Sequence, residues 1–106
     1  MTTFDERENA YETEFAHREE LKFRARERAV RSLALWAAQR LGKTRKAGEQ
    51  YAHDLVAIDV ASPTLDAAIE RITADLRPAG VTQQAVREVM DQCLAQAEVS
   101  VRGSVS

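Results

Sequence analysis

Apolar positions in the last two thirds of the chain recur at helical intervals. Leu65, Ile69, Ile72 and Leu76 are separated by 4, 3 and 4 residues. Val86, Met90, Cys93 and Ala97 follow a similar rule, with Val89 and Leu94 beside them. Such spacing gathers apolar side chains on one face of an α-helix. Tyr51, Leu55 and Ile58, flanked by Ala52 and Val56, make a third stripe, and Val30, Leu33, Trp36, Ala37 and Leu41 a fourth. No stretch sustains the alternation of a half-buried strand.

Breakers and caps divide these stripes into four helices. Thr3 and Glu6 form a capping box, in which each side chain satisfies a backbone N–H at a helix start. Neither proline nor glycine interrupts the chain from there to Gly42, which suits a left-handed helix end. That first helix would hold about 38 residues and span about 57 Å at 1.5 Å per residue. The second runs from about Thr44 to Ala61. Ser62 as cap and Pro63 at the first helical position start the third, because proline there loses no hydrogen bond. "RPAG" at 77–80 ends it. Thr82 caps the fourth, with Val81 and Val86 placed as a hydrophobic staple. "RGSVS" at 102–106 reads as a short polar tail. Short links make antiparallel neighbours. The expected fold is all-α, a four-helix bundle with a long first helix whose N-terminal part protrudes or is mobile. The expected organisation is a mobile segment at 1–20, a bundle at 21–100 and a flexible tail at 101–106.

The N-terminal segment does not share the pattern of the rest. In "TTFDERENAYETEF", residues 2–15, five of six charges are negative, yet Phe4, Tyr11 and Phe15 stand at spacings of 7 and 4. The stripe is one aromatic wide and lapses at His17, Arg18, Glu19, Glu20 and Lys22. A helix this polar gains little from packing within its own chain, and isolated helices of this length are marginal in water. Aromatics spaced along a charged helix suit burial in a groove of another protein; folding back as ordinary core is the alternative.

Charge sharpens the division. Residues 1–20 sum to −5, residues 21–46 to +8 and residues 47–106 to −5. Such asymmetry concerns partners more than fold. Arg24, Arg28 and Arg31 lie at i, i+4 and i+7, and read as one solvated helix face. A net charge of −2 and a pI near 5.7 argue against nucleic-acid binding. Arg40, Lys43, Arg45 and Lys46 could contact the phosphates of a single nucleotide.

Catalytic chemistry finds no support. His17 and His53 are 36 residues apart, and neither has a partner at metal-ligand spacing. The one cysteine, Cys93, falls on an apolar face and reads as a buried, inert thiol. Asp59 and Asp75, near apolar stripes, read as caps or salt-bridge partners, and Trp36 reads as core. No glycine-rich phosphate loop is present. No stretch approaches the roughly 20 apolar residues that would span a bilayer. With an acidic N-terminus and no internal disulfide, the expectation is a cytoplasmic, non-enzymatic protein.

"MTTFDERENAYETEFAHREELKF", "LWAAQRLG" and "TADLRPAGV" together resemble the zeta subunit of alphaproteobacterial F-type ATP synthases, over roughly residues 1–98. This chain departs from the usual pattern with "KTRKAGEQ" after "LG" and with "SVRGSVS" at its end. The resemblance implies a four-helix inhibitor of ATP hydrolysis by the catalytic head. Its inhibitory element would be the N-terminal segment, with Phe4, Asp5, Arg7, Glu8, Tyr11, Glu12 and Phe15 as partner-binding residues. The implied partners are the catalytic-head subunits and the central stalk, which would place the protein at the inner membrane without insertion and as a monomer when free. No metal or obligatory cofactor is implied. ATP or ADP binding remains the alternative function, and a generic helical adaptor a third.

Overall fold

The computed structural model describes the backbone of residues 2–105 and the side chains of residues 16–103. It contains four α-helices: α1 (Thr2–Arg40), α2 (Arg45–Val60), α3 (Asp66–Leu76) and α4 (Gln83–Val105). No strand occurs among the described residues. A single 3₁₀ turn, Arg77–Ala79, connects α3 to α4.

The predicted punctuation between helices is largely observed. Gly42 has φ +72° and Gly80 φ +79°, both left-handed. At the end of α1, Lys43 N donates to Ala38 O and Gly42 N to Gln39 O, which satisfies carbonyls the helix leaves open. The same pair of bonds recurs at Gly80, from Val81 N to Leu76 O and from Gly80 N to Arg77 O. Thr44 Oγ1 accepts from Ala47 N at 3.2 Å and caps α2, and Thr82 Oγ1 accepts from Ala85 N at 3.2 Å at the head of α4. The Thr3–Glu6 capping box lies outside the described side chains.

Two boundaries differ from expectation. The third helix begins at Asp66 rather than at Ser62–Pro63. Thr64 Oγ1 accepts from Asp66 N, so the turn is closed by threonine, and Ser62 O is engaged elsewhere. The fourth helix continues through the supposed polar tail to Val105. Val101 is buried there, which gives this last stretch an apolar contact that holds it in the bundle.

The core is built on α1. Ala25, Ala29, Val30, Leu33, Ala34, Ala37 and Ala38 are buried, and α1 packs most extensively against α2 and α4. Alanines on this face let neighbouring helices approach closely. A Cβ on Gly48 of α2 would stand 3.3 Å from the Ala38 Cβ, so only a hydrogen fits without movement. Leu55 from α2, Ile69, Ile72 and Leu76 from α3, and Val86 and Met90 from α4 fill the centre. Trp36, expected in the core, is only partly buried at its edge. Cys93 is also partly rather than fully buried, and burial pushes its thiol pKa up, which disfavours the reactive thiolate.

Candidate functional site

The 39 residues of α1 span about 58 Å at 1.5 Å per residue, against about 24 Å for the 16 residues of α2. The molecule is correspondingly elongated, at 64 × 24 × 21 Å. Side chains from Ala16 to Glu20 are all exposed, and Leu21 is the first described residue to join the core. Phe4, Asp5, Arg7, Glu8, Tyr11, Glu12 and Phe15 belong to the helical backbone of α1, and their side chains lie outside the described residues.

Besides its apolar packing, α1 is tied to the end of α2 by an ion pair near the start of its buried half. Arg26 Nε donates to Asp59 Oδ2 at 2.7 Å, and its NH2 donates to Asp59 Oδ1 at 2.9 Å. The same NH2 also donates to the backbone carbonyls of Asp59 at 3.3 Å and Ser62 at 3.1 Å. Asp59 is 2% exposed and Arg26 30%. The guanidinium therefore pairs a buried carboxylate and also closes the carbonyl end of α2, where helix polarity favours a cation. The hydrogen bond to Asp59 raises the arginine pKa further above its ordinary range, with burial opposing. A second tie, from Arg28 to Ser100 Oγ, joins α1 to α4.

Sequence spacing marked Asp59 as a cap or salt-bridge partner. It did not identify Arg26, which falls outside the row of Arg24, Arg28 and Arg31. That row is exposed, as expected of a solvated face, although Arg28 reaches Ser100 and Arg24 pairs with Glu20. Asp75 accepts from Tyr51 Oη at 2.7 Å and from Arg71 Nε at 3.1 Å. Burial first, then Asp75, pushes the Tyr51 phenol well above its ordinary pKa.

The four cations at the α1–α2 turn do not all converge. The Arg40 guanidinium lies 4.5 Å from the Trp36 ring centroid. Lys43 Nζ lies 5.3 Å from that of Tyr51. Lys43 and Arg45 border one groove of about 380 Å³ with Arg31 and Glu49, and Arg45 is 3.6 Å from Glu49. Lys46 is exposed, and neither it nor Arg40 lines that groove. Among the described residues no group of three or more His, Cys, Asp or Glu could hold a metal ion.

A different cavity sits where α1 emerges from the bundle. It holds about 340 Å³, between Leu21, Lys22 and Ala25 of α1 and Leu94, Val101 and Arg102 of α4. Nothing in the helical spacing of either segment alone identified it, because it exists only where two helices meet.

Residues 1–100 match the family described as ATPase inhibitor subunit zeta. The chain belongs to that family. The match begins at the first residue, so it covers the acidic, aromatic-bearing start of α1 as well as the bundle. Neither a curated protein nor a solved structure matches it. Among the described residues no helix is long and apolar enough to cross a membrane.

Proposed function

We propose that this protein inhibits ATP hydrolysis by the catalytic head of an F-type ATP synthase, by inserting the N-terminal half of α1 at a catalytic subunit interface and blocking rotation. The observation that carries the proposal is the family match, which includes the N-terminal segment together with the bundle. The fold supports it: one uninterrupted helix carries a charged, sparsely aromatic half beyond a bundle that holds its other half. Rotary hydrolysis needs catalytic interfaces to open and close as the central stalk turns. A helix wedged between subunits and stalk holds one interface in one state, and turnover stops because the conformational step stops. The inhibitor needs no catalytic residue for this. Hydrolysis by purified catalytic head, titrated with the chain, should fall saturably toward zero; a rate unchanged at large excess contradicts the proposal.

A second reading, an adenine-nucleotide module, is favoured by Lys43 and Arg45 bordering one groove. In that reading amide resonances around residues 40–49 shift with ATP and do not shift with inorganic phosphate.

A further inference from the structure

The seam that α1 buries in the bundle runs on, in phase, into its N-terminal half. Ala25, Ala29 and Leu33 are buried, and Trp36 is partly buried, at spacings of 4, 4 and 3. Stepping back from Ala25 by 3, 4, 3, 4 and 7 residues gives Lys22, Arg18, Phe15, Tyr11 and Phe4. In an uninterrupted helix these positions share one face, and α1 is uninterrupted from Thr2 to Arg40. The aromatic positions therefore lie in line with the Ala25 face, with Arg18 and Lys22 between Phe15 and Ala25 and Arg7 between Phe4 and Tyr11.

The 340 Å³ groove lies on this face, where the seam leaves the bundle. Its walls are apolar at Leu21, Ala25, Leu94 and Val101. Among the described residues its mouth carries Arg18, Lys22 and Arg102, with Glu98 as the acid, and Arg18 already has an interaction of its own. Arg26, also at the groove, is neutralised by Asp59. Lys22 has an exposed pair with Glu19 at 3.4 Å, a contact of small worth that a partner can displace. Arg102 is exposed, three residues before the end of α4.

We propose that this groove and its cationic mouth form a second part of the inhibitory interface. It receives one amphipathic helix of the target, which lies between α1 and the last turns of α4 and carries carboxylates in the turn facing Lys22 and Arg102. The proposal rests on the inhibitor reading and deepens it: the bundle is part of the contact, and α4, remote in sequence from the N-terminal segment, contributes to it. An acidic, apolar-striped helix is the chemistry that fits. The groove offers apolar walls to such a helix, its mouth offers charges of the opposite sign, and the face is continuous with an existing helix–helix contact.

The test is an inhibition titration of the catalytic head with full-length Arg102→Glu and Lys22→Glu, beside the wild type and Arg77→Glu. Arg77 is exposed in the turn before α4 and serves as a charge-matched control. Both groove variants should weaken inhibition by roughly 3- to 10-fold and reduce its salt sensitivity. Their helical circular dichroism and melting should match the wild type, and Arg77→Glu should inhibit normally. Wild-type inhibition constants in both groove variants overturn the groove proposal while leaving the inhibitor reading intact. Concentration-dependent dimerisation of the free chain, lost in Arg102→Glu, assigns the groove to a second copy and also overturns it. Failure of the wild type to inhibit removes the inhibitor reading itself.

Discussion

The two halves of α1 share one backbone helix and differ in what surrounds it. From Ala25 to Ala38 seven apolar side chains are buried, in a stripe wide enough to meet two neighbouring helices. From Ala16 to Glu20 every side chain is exposed, and the aromatic positions before them make a stripe one residue wide. Helices in proteins are held mostly by packing of an apolar face, and propensity alone leaves a helix of this length marginal in water. The bundle half is thus stabilised by its own chain. The N-terminal half carries three aromatics among charges that are mostly acidic, and in the proposed function these meet a partner rather than the core.

Stability should depend on one half of α1 and inhibition on the other. Arg26→Ala leaves the buried Asp59 carboxylate without its guanidinium and opens the end of α2. Breaking a mostly buried pair in this way should destabilise the bundle by about 3–5 kcal/mol, measured as a lowered denaturation midpoint. A loss under about 1 kcal/mol would mean that α1 is not anchored there. On the other side, Tyr11→Ala or Phe15→Ala should leave the midpoint unchanged and weaken inhibition by about 2–4 kcal/mol, because large anchors dominate interfaces. Glu12→Ala should cost under about 1 kcal/mol in inhibition and act mainly on the association rate. Were Glu12→Ala the most damaging of the three, charge rather than wedging would be the active feature.

Tyr51 gives a smaller, pH-dependent contrast confined to the bundle. Its folded pKa is raised, so the neutral phenol stabilises the fold fully below the ordinary phenol value of about 10. That contribution is lost as pH climbs through and above this value. Tyr51→Phe should cost about 1 kcal/mol at pH 7, through the lost bond to Asp75, and should flatten the alkaline decline. Unfolding curves at pH 7 and above 10 check both. The smallest effect belongs to the exposed pair of Glu20 and Arg24. Glu20→Ala should change stability by less than about 0.5 kcal/mol. A larger loss would show that residues 16–24 contribute more to the fold than their exposure indicates.

Much of this architecture was legible in the sequence, because helical spacing, threonine caps and left-handed glycines are local signals. Thr82 and Gly42 stand where their chemistry indicated, and the second helix begins beside Thr44 as its spacing implied. The start of α3 was misplaced because a serine–proline pair imitates a helix start. Here Ser62 O is engaged by Arg26 and the turn closes on Thr64 instead. The end of α4 was cut short because "RGSVS" is polar in composition, while Val101 is buried by contacts the composition does not reveal. The candidate site divides along the same line. Its N-terminal residues were visible as a local departure from pattern. The Arg26–Asp59 tie spans 33 residues and the groove joins α1 to α4, and both require the tertiary fold.

The central claim is that one half of α1 inhibits while the other half belongs to the bundle. It is tested most directly by titrating purified catalytic head with the full chain and with a chain lacking residues 2–15, alongside the melting temperature of each. The account predicts that the shortened chain no longer inhibits and melts within about 5 °C of the full chain, roughly 1 kcal/mol for a domain of this size. A shortened chain that inhibits as well as the full one, or that melts far lower, would contradict it.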